Sequence, residues 1–254
     1  MGKKTIIAVI LAVIGIAAVA TGAYQIWKIH LEDLKAETKY AEMSVTYGDG
    51  TSSDGIYQKL AALNAKNPDC IYWLKIPDTK IDYPVMYHPK EEEYYLYRDF
   101  DKEYSPAGSL YLAENCDPVH GDNLIIYGHH MRSGAMFAQL EDYKNEDFYM
   151  KHKKIELETL QGHEDYEIIA AFTTPVYTDH DFEYYKFTAT EDPTEFDSYV
   201  RQCKEKSIYE TGKTAQYGQR LLTLSTCEYS QKNGRMVIVA VQTYKPIKAA
   251  KEGE

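Results

Sequence analysis

From residue 67 onward, short apolar and β-branched runs alternate with polar turns. Segments 71–76, 81–86, 108–112, 123–127, 154–160, 166–176, 221–226 and 236–241 each carry that character and predict strands. About eight short strands with few helices predict a closed barrel or sandwich, because closure removes the open edges of a flat sheet. Two stretches change to helical spacing. Residues 135–143 place Met136, Phe137 and Leu140 on one face. Residues 193–210 begin with Pro193, favourable at an early helical position, and repeat Phe196, Tyr199, Val200, Cys203 and Ile208. This second helix precedes the strand 221–226. It could wall a cleft there or simply cover the barrel.

The first 66 residues have a different pattern. Lys3 and Lys4 precede an uncharged run over 5–27, long enough to span a hydrocarbon core of about 20 helical residues. Lysines on that flank predict a cytoplasmic N-terminus, with Tyr24 and Trp27 at the outer interface. Ala18-Val19-Ala20 also has the form of a signal-peptide cleavage site, but the apolar core is long for such a peptide, which favours an uncleaved anchor. Ile26, Ile29, Leu31 and Leu34 carry the helix into a charged stalk. Residues 48–53 break it, and Ser53 or Asp54 can cap a second helix bearing Ile56, Leu60 and Leu63. Asn67-Pro68-Asp69 ends that helix.

Composition narrows the partners. The chain of 254 residues has a formal net charge of −11, so it lacks the basic surface that nucleic acid requires. Its 24 tyrosines read mainly as half-buried strand residues with wet hydroxyls. Cys70, Cys116, Cys203 and Cys227 are scattered and form no staple framework, and a core of this size needs none. They read as packed thiols, with a Cys70–Cys116 bridge left open.

The chemistry concentrates at 220–242, a predicted strand, polar loop and strand. Cys227 lies where the first strand stops and Arg235 where the second begins, with an Asn233-Gly234 turn signal between them. If the strands pair as antiparallel neighbours, a thiol and a guanidinium meet at one rim of a sheet. A nearby cation favours the nucleophilic thiolate, and an arginine holds an oxyanion with fixed donors. A second apolar strand, 123–127, ends in Gly128 and is followed at once by His129 and His130. Successive side chains diverge, so one of the two faces Cys227. No Cys or carboxylate stands at a usual zinc spacing from the pair.

Thr223-Leu224-Ser225-Thr226-Cys227, with Arg235 heading the next strand and a histidine directly after the glycine of 123–128, resembles the signature of the sortases, the bacterial surface transpeptidases. The stretch 67–74, the long helical N-terminal part and the helix before the Cys strand are most like class B. The resemblance covers 67–241. It implies a mostly β fold, a closed eight-stranded sortase-type barrel with N-terminal helices. The chain would then divide into a cytoplasmic tail (1–4), an anchor (5–27), a helical stalk (28–66), a catalytic barrel (67–247) and a frayed tail (248–254). The family pattern maps the catalytic histidine to His129, and the three residues would converge at the mouth of the barrel.

The implied reaction is acyl transfer. Cys227 attacks the carbonyl of a Thr in the C-terminal sorting signal of a surface protein. Arg235 and the backbone N–H of Glu228 hold the oxyanion, and His129 shuttles the proton. Ser225 and Thr226 would line the substrate groove. The thioacyl enzyme is resolved by a peptidoglycan amine. The family is described as resting in a neutral Cys/His pair. No metal or other cofactor is implied. Two other classes remain: a secreted cysteine protease or amidase with water as acceptor, and a non-catalytic wall-binding barrel in which Cys227 is packing.

Overall fold

The computed structural model describes residues 2–46, 53–176, 182–230 and 232–244. Most of the break expected at 48–53, and the tail expected at 248–254, fall outside them.

The chain opens with helix α1 (Lys3–Thr46), so the apolar run and the first part of the expected stalk are one continuous element. Over Ile10–Met43 it is long and apolar enough to cross a membrane, by length and composition. Leu11, Val13, Ile16 and Val19 are exposed, whereas Ala36 and Tyr40 further along are buried against the barrel. The Tyr40 hydroxyl lies 3.0 Å from the Gly108 carbonyl and 2.9 Å from Ser109 Oγ, and Lys39 pairs with Asp99 at 2.6 Å. Helix α2 (Ser53–Lys66) follows, and its Leu60 and Leu63 pack with Cys70, Trp73, Met86 and Tyr95.

The predicted strands form, with bounds shifted by a few residues: β1 (Cys70–Lys75), β2 (Asp82–Met86), β3 (Leu110–Leu112), β4 (Asn123–Tyr127), β5 (Lys154–Thr159), β6 (Gly162–Pro175), β7 (Leu221–Glu228) and β8 (Gly234–Tyr244). They close into a barrel in the order β1-β2-β3-β4-β7-β8-β6-β5. Two neighbouring pairs, β2–β3 and β4–β7, are parallel, and the others are antiparallel. Period-two alternation sorts the residues. Leu222, Leu224, Met236 and Ile238 join the cluster to which all eight strands contribute, which is the barrel interior. Leu221, Val237, Val239 and Val241 face outward and are covered by helix α4 (Pro193–Lys206) through Phe196, Tyr199, Val200 and Cys203. Asp192 caps α4 by accepting from Thr194 N–H, with Pro193 in the first turn.

The helical pattern at 135–143 becomes a 3-10 helix over Ala138–Lys144. A short helix α3 (Glu146–Lys151), which hydrophobic spacing did not reveal, follows at once. Asn145 both ends the first and caps the second.

At the β5–β6 hairpin, His163 Nδ1 lies 2.5 Å from Glu158 and Nε2 lies 3.1 Å from Asp165. The hydrogen bond that His163 donates to the Glu158 carboxylate raises the imidazole to about 9 against the opposing effect of burial. The ordinary unfolded value is near ~6.5, so this stabilisation is complete below that pH and is lost as pH rises through about 9. Urea unfolding of the wild type and of His163→Gln should therefore converge as pH is raised from about 6 to above 9. Parallel stability profiles would contradict the assignment.

Candidate active site

Three neighbouring strands, β4, β7 and β8, build the site at their shared end. In the antiparallel β7–β8 ladder Cys227 is directly opposite Arg235, which sets their Cβ atoms about 5 Å apart. On the other side of β7, parallel β4 pairs Tyr127 with Ser225, and Gly128 N–H donates to the Ser225 carbonyl at 3.2 Å. His129 follows just beyond the last ladder pair and lines the same cleft as Cys227. Imidazole, thiol and guanidinium thus come from adjacent strand ends.

All three line a cleft of about 320 Å³. Its wall includes Leu96, Tyr97, Tyr111, Tyr184 and Tyr185. The cleft lies against the outer wall of the barrel, because Ser225, Cys227 and Arg235 alternate with the interior residues of β7 and β8. The barrel mouth expected from sequence is therefore replaced by the outward face of its wall. Helix α4 contributes no lining residue among those described. Its Tyr199 instead stacks on Phe187 at 4.1 Å and meets Phe182, so it buttresses the 3-10 turn Tyr184–Lys186 that borders the cleft.

Gly128 sets the path of the chain into the site. A Cβ there would sit 2.3 Å from a Leu110 side-chain carbon and 2.8 Å from Phe137. Only glycine allows β4 to pass so close to both. Beyond it the two histidines diverge. His129 Nε2–H donates to the Leu96 carbonyl at 2.8 Å, and its ring lies 5.3 Å from that of Tyr97. Because a carbonyl only accepts, the hydrogen sits on Nε2 and Nδ1 remains the basic nitrogen. Burial pushes the imidazole below its usual range, against the raising effect of the Leu96 hydrogen bond. His130 turns to the opposite side, toward the Cys227 carbonyl and Glu141.

Arg235 Nη1 donates to the Gly234 carbonyl at 3.0 Å, which steadies the guanidinium at the head of β8. Ser225 borders the cleft, but its side chain is fully buried and shares a 2.7 Å hydrogen bond with the Tyr184 hydroxyl. Thr226 also borders it, and its hydroxyl donates to the Gly128 carbonyl at 2.8 Å. Glu228 lies outside the lining. Its backbone pairs with Gly234, and its buried carboxylate accepts from Lys144 and Ser230. Lys144 and Ser230 hold that carboxyl below the usual range, although burial alone would raise it. Among the described residues, no group of three or more His, Cys, Asp or Glu is placed to hold a metal ion.

Sequence reasoning did not single out Leu96, Tyr97, Tyr184 or Tyr185. The tyrosine-rich stretch 94–97 was a compositional signal, but Leu96 acts through its backbone carbonyl, which leaves no trace in residue identity.

The barrel and its cleft belong to a cysteine transpeptidase, as the comparisons show. The sortase domain family matches residues 74–243. Sortase B of Listeria monocytogenes is 35% identical over 212 residues, covering 82% of this chain and 81% of that protein. Sortase B of Staphylococcus aureus is 29% identical over 241 residues, covering 93% and 95%. A Staphylococcus aureus sortase B–substrate complex superimposes with a TM-score of 0.74 at 28% identity, covering 87% of this chain and 100% of that one. Clostridium perfringens sortase B gives 0.67 at 31% identity, covering 72% and 99%. The chain belongs to the sortase family and is a class B sortase.

All four cysteines are free thiols, so the open Cys70–Cys116 bridge is not formed. Cys70, Cys116 and Cys203 are buried, and burial pushes each up to about 12. Cys227 alone is partly exposed. Alkylation of the folded protein near neutral pH should modify Cys227 only, with the other three reacting after denaturation, as read by peptide mass spectrometry. Equal labelling of any second cysteine in the folded state would contradict this picture.

Proposed function

We propose that this sortase cleaves a C-terminal sorting signal after a Thr and joins the surface protein to a peptidoglycan amine. Cys227, His129 and Arg235 carry the reaction. The observation that supports this most directly is their arrival on three adjacent strand ends along one cleft.

In this reading the Cys227 proton passes to His129 Nδ1, the nitrogen that Leu96 leaves free. The thiolate adds to the Thr carbonyl carbon, and the carbonyl electrons move onto oxygen. Arg235 stabilises that oxyanion; Glu228, whose backbone pairs with Gly234, lies outside the cleft. Collapse expels the amine, which takes the proton from His129, and leaves a thioester on Cys227. The acceptor amine attacks the thioester, its proton returns to His129, and the amide product departs as the thiolate is released. Burial favours the neutral imidazole at rest. A neutral His129 is then ready to take the Cys227 proton. Ser225 and Thr226 shape the groove more than they bind through free hydroxyls, since both hydroxyls already have partners.

The N-terminal helix serves as a single-pass anchor, its first residues cytoplasmic and the barrel outside. Its exposed apolar side chains need a hydrocarbon environment. The catalytic barrel then spans 67–247, joined to the anchor by the stalk 28–66.

Cys227→Ala should lower turnover of a sorting-signal peptide more than a hundredfold without unfolding the barrel, since loss of a nucleophile removes the covalent path. Arg235→Lys should be severely impaired, because an ammonium does not reproduce the planar fork. His129→Ala should be far worse than His130→Ala, and the reverse ranking would exchange their roles.

Product analysis with and without an added amine tests the acceptor step. An amide product that grows with amine concentration is expected. Free acid alone, whatever the amine, would make the protein a hydrolase.

A further inference from the structure

The doubled histidine has a second use. Along the parallel β4–β7 ladder, Gly128 N–H donates to the Ser225 carbonyl. Two residues on, the His130 backbone N–H would be the next donor, facing the carbonyl of Cys227. The chain has left the ladder by then: His129 turns into the cleft, and residue 130 bridges Met136 instead. The His130 side chain takes over, its Nδ1–H donating to the Cys227 carbonyl at 3.1 Å. Without it, that carbonyl would lose its partner on the β4 side.

The imidazole is itself held. Its Nε2 lies 3.3 Å from Glu141 Oε2, and the Tyr229 ring centroid lies 5.2 Å from its own. Lys144 Nζ lies 2.9 Å from Glu141 Oε1 and 2.7 Å from Glu228 Oε1. Glu228 follows Cys227 directly, and its side chain is 1% exposed. The contacts therefore close on themselves, from the Cys227 carbonyl through His130, Glu141 and Lys144 to Glu228 and back along the chain. This ring lies at the end of β7, where Glu228 opposite Gly234 is the last ladder pair.

We propose that His130 is a positioning residue for the Cys227 thiol: its imidazole replaces the missing ladder bond, and Glu141, Lys144 and Glu228 hold it in place. The inference rests on Cys227 as nucleophile. A nucleophile misplaced by a fraction of an ångström loses rate rather than affinity. The effect should therefore fall on acylation and spare peptide binding.

Single-turnover acylation by a sorting-signal peptide provides the test, with melting curves to confirm folding. His130→Ala should slow acylation about ten- to thirtyfold, as expected for one orphaned carbonyl near the reacting atom, with KM for the peptide within about twofold. His130→Asn places an amide N–H near the position of the imidazole Nδ1. It should recover the rate to within about threefold of wild type, because it restores the single hydrogen bond.

Glu141→Gln and Lys144→Met leave the ladder bond in place and keep the test open if His130→Ala does not fold. Each should slow acylation several-fold at unchanged KM. Wild-type rates in His130→Ala, wild-type rates in both ring variants, or an Asn variant no better than Ala would each overturn the proposal. Cys227→Ala run alongside separates the two readings: retained turnover there defeats the nucleophile assignment itself, and the positioning role with it.

Discussion

The site depends on one pairing, the parallel ladder between β4 and β7. It joins Tyr127 to Ser225, residues remote in sequence, and brings the residues that follow each of them to one cleft. Side chains in a strand alternate with a period of two, so a slip of one residue would turn Cys227 into the barrel interior and bring Thr226 outward. The register is held by burial. Leu124 and Ile126 on β4 and Leu222 and Leu224 on β7 are all fully buried in one core. The same hydrophobic pattern that closes the barrel therefore fixes which atoms meet at its wall. Long-range parallel pairing carries a large loop-closure cost before its contacts form, and the continuous apolar core offsets it.

Where the ladder ends, neighbouring residues separate into different tasks. Gly128 allows the close pass by Leu110 and Phe137. His129 lines the cleft and donates from Nε2 to the Leu96 carbonyl, which leaves Nδ1 as its basic nitrogen. His130 turns back to the strand that carries Cys227. The electrostatics follow the geometry. Burial weakens the imidazole's hold on a proton, and the guanidinium opposite the thiol is permanently charged. The net acidity of the chain has no part in this, because short-range fixed groups dominate inside a cleft.

The helices act through the loops that the barrel leaves open. Helix α4 packs on the outer face of the sheet, and its Tyr199 steadies the turn whose Tyr184 bonds Ser225. Helix α1 is fastened to the barrel on another side. Tyr40 and Lys39 fasten it to Gly108, Ser109 and Asp99, and Ser109 N–H in turn donates to the Tyr95 carbonyl, next to Leu96. The long N-terminal helix is thus built into the domain and packs near the segment that orients His129.

Much of this was legible in the chain itself. Short apolar runs set the eight strands, an uncharged run set the N-terminal helix, and Gly128-His129, Cys227 and Arg235 marked residues that line one cleft. These are local properties, and each is written in residue identity and spacing. The short helix Glu146–Lys151 after the predicted 135–143 stretch was hidden, because Asn145 acts as its cap only once the chain has turned. Which histidine faces the thiol could be taken from resemblance but not from spacing, since adjacent residues diverge without saying in which direction. The parallel pairing of β4 with β7, the outward placement of Cys227, the Leu96 carbonyl on His129 and the contacts of Ser225, Thr226 and Glu228 were decided by tertiary structure alone. They depend on backbone groups and register between distant segments, and a one-dimensional pattern encodes neither.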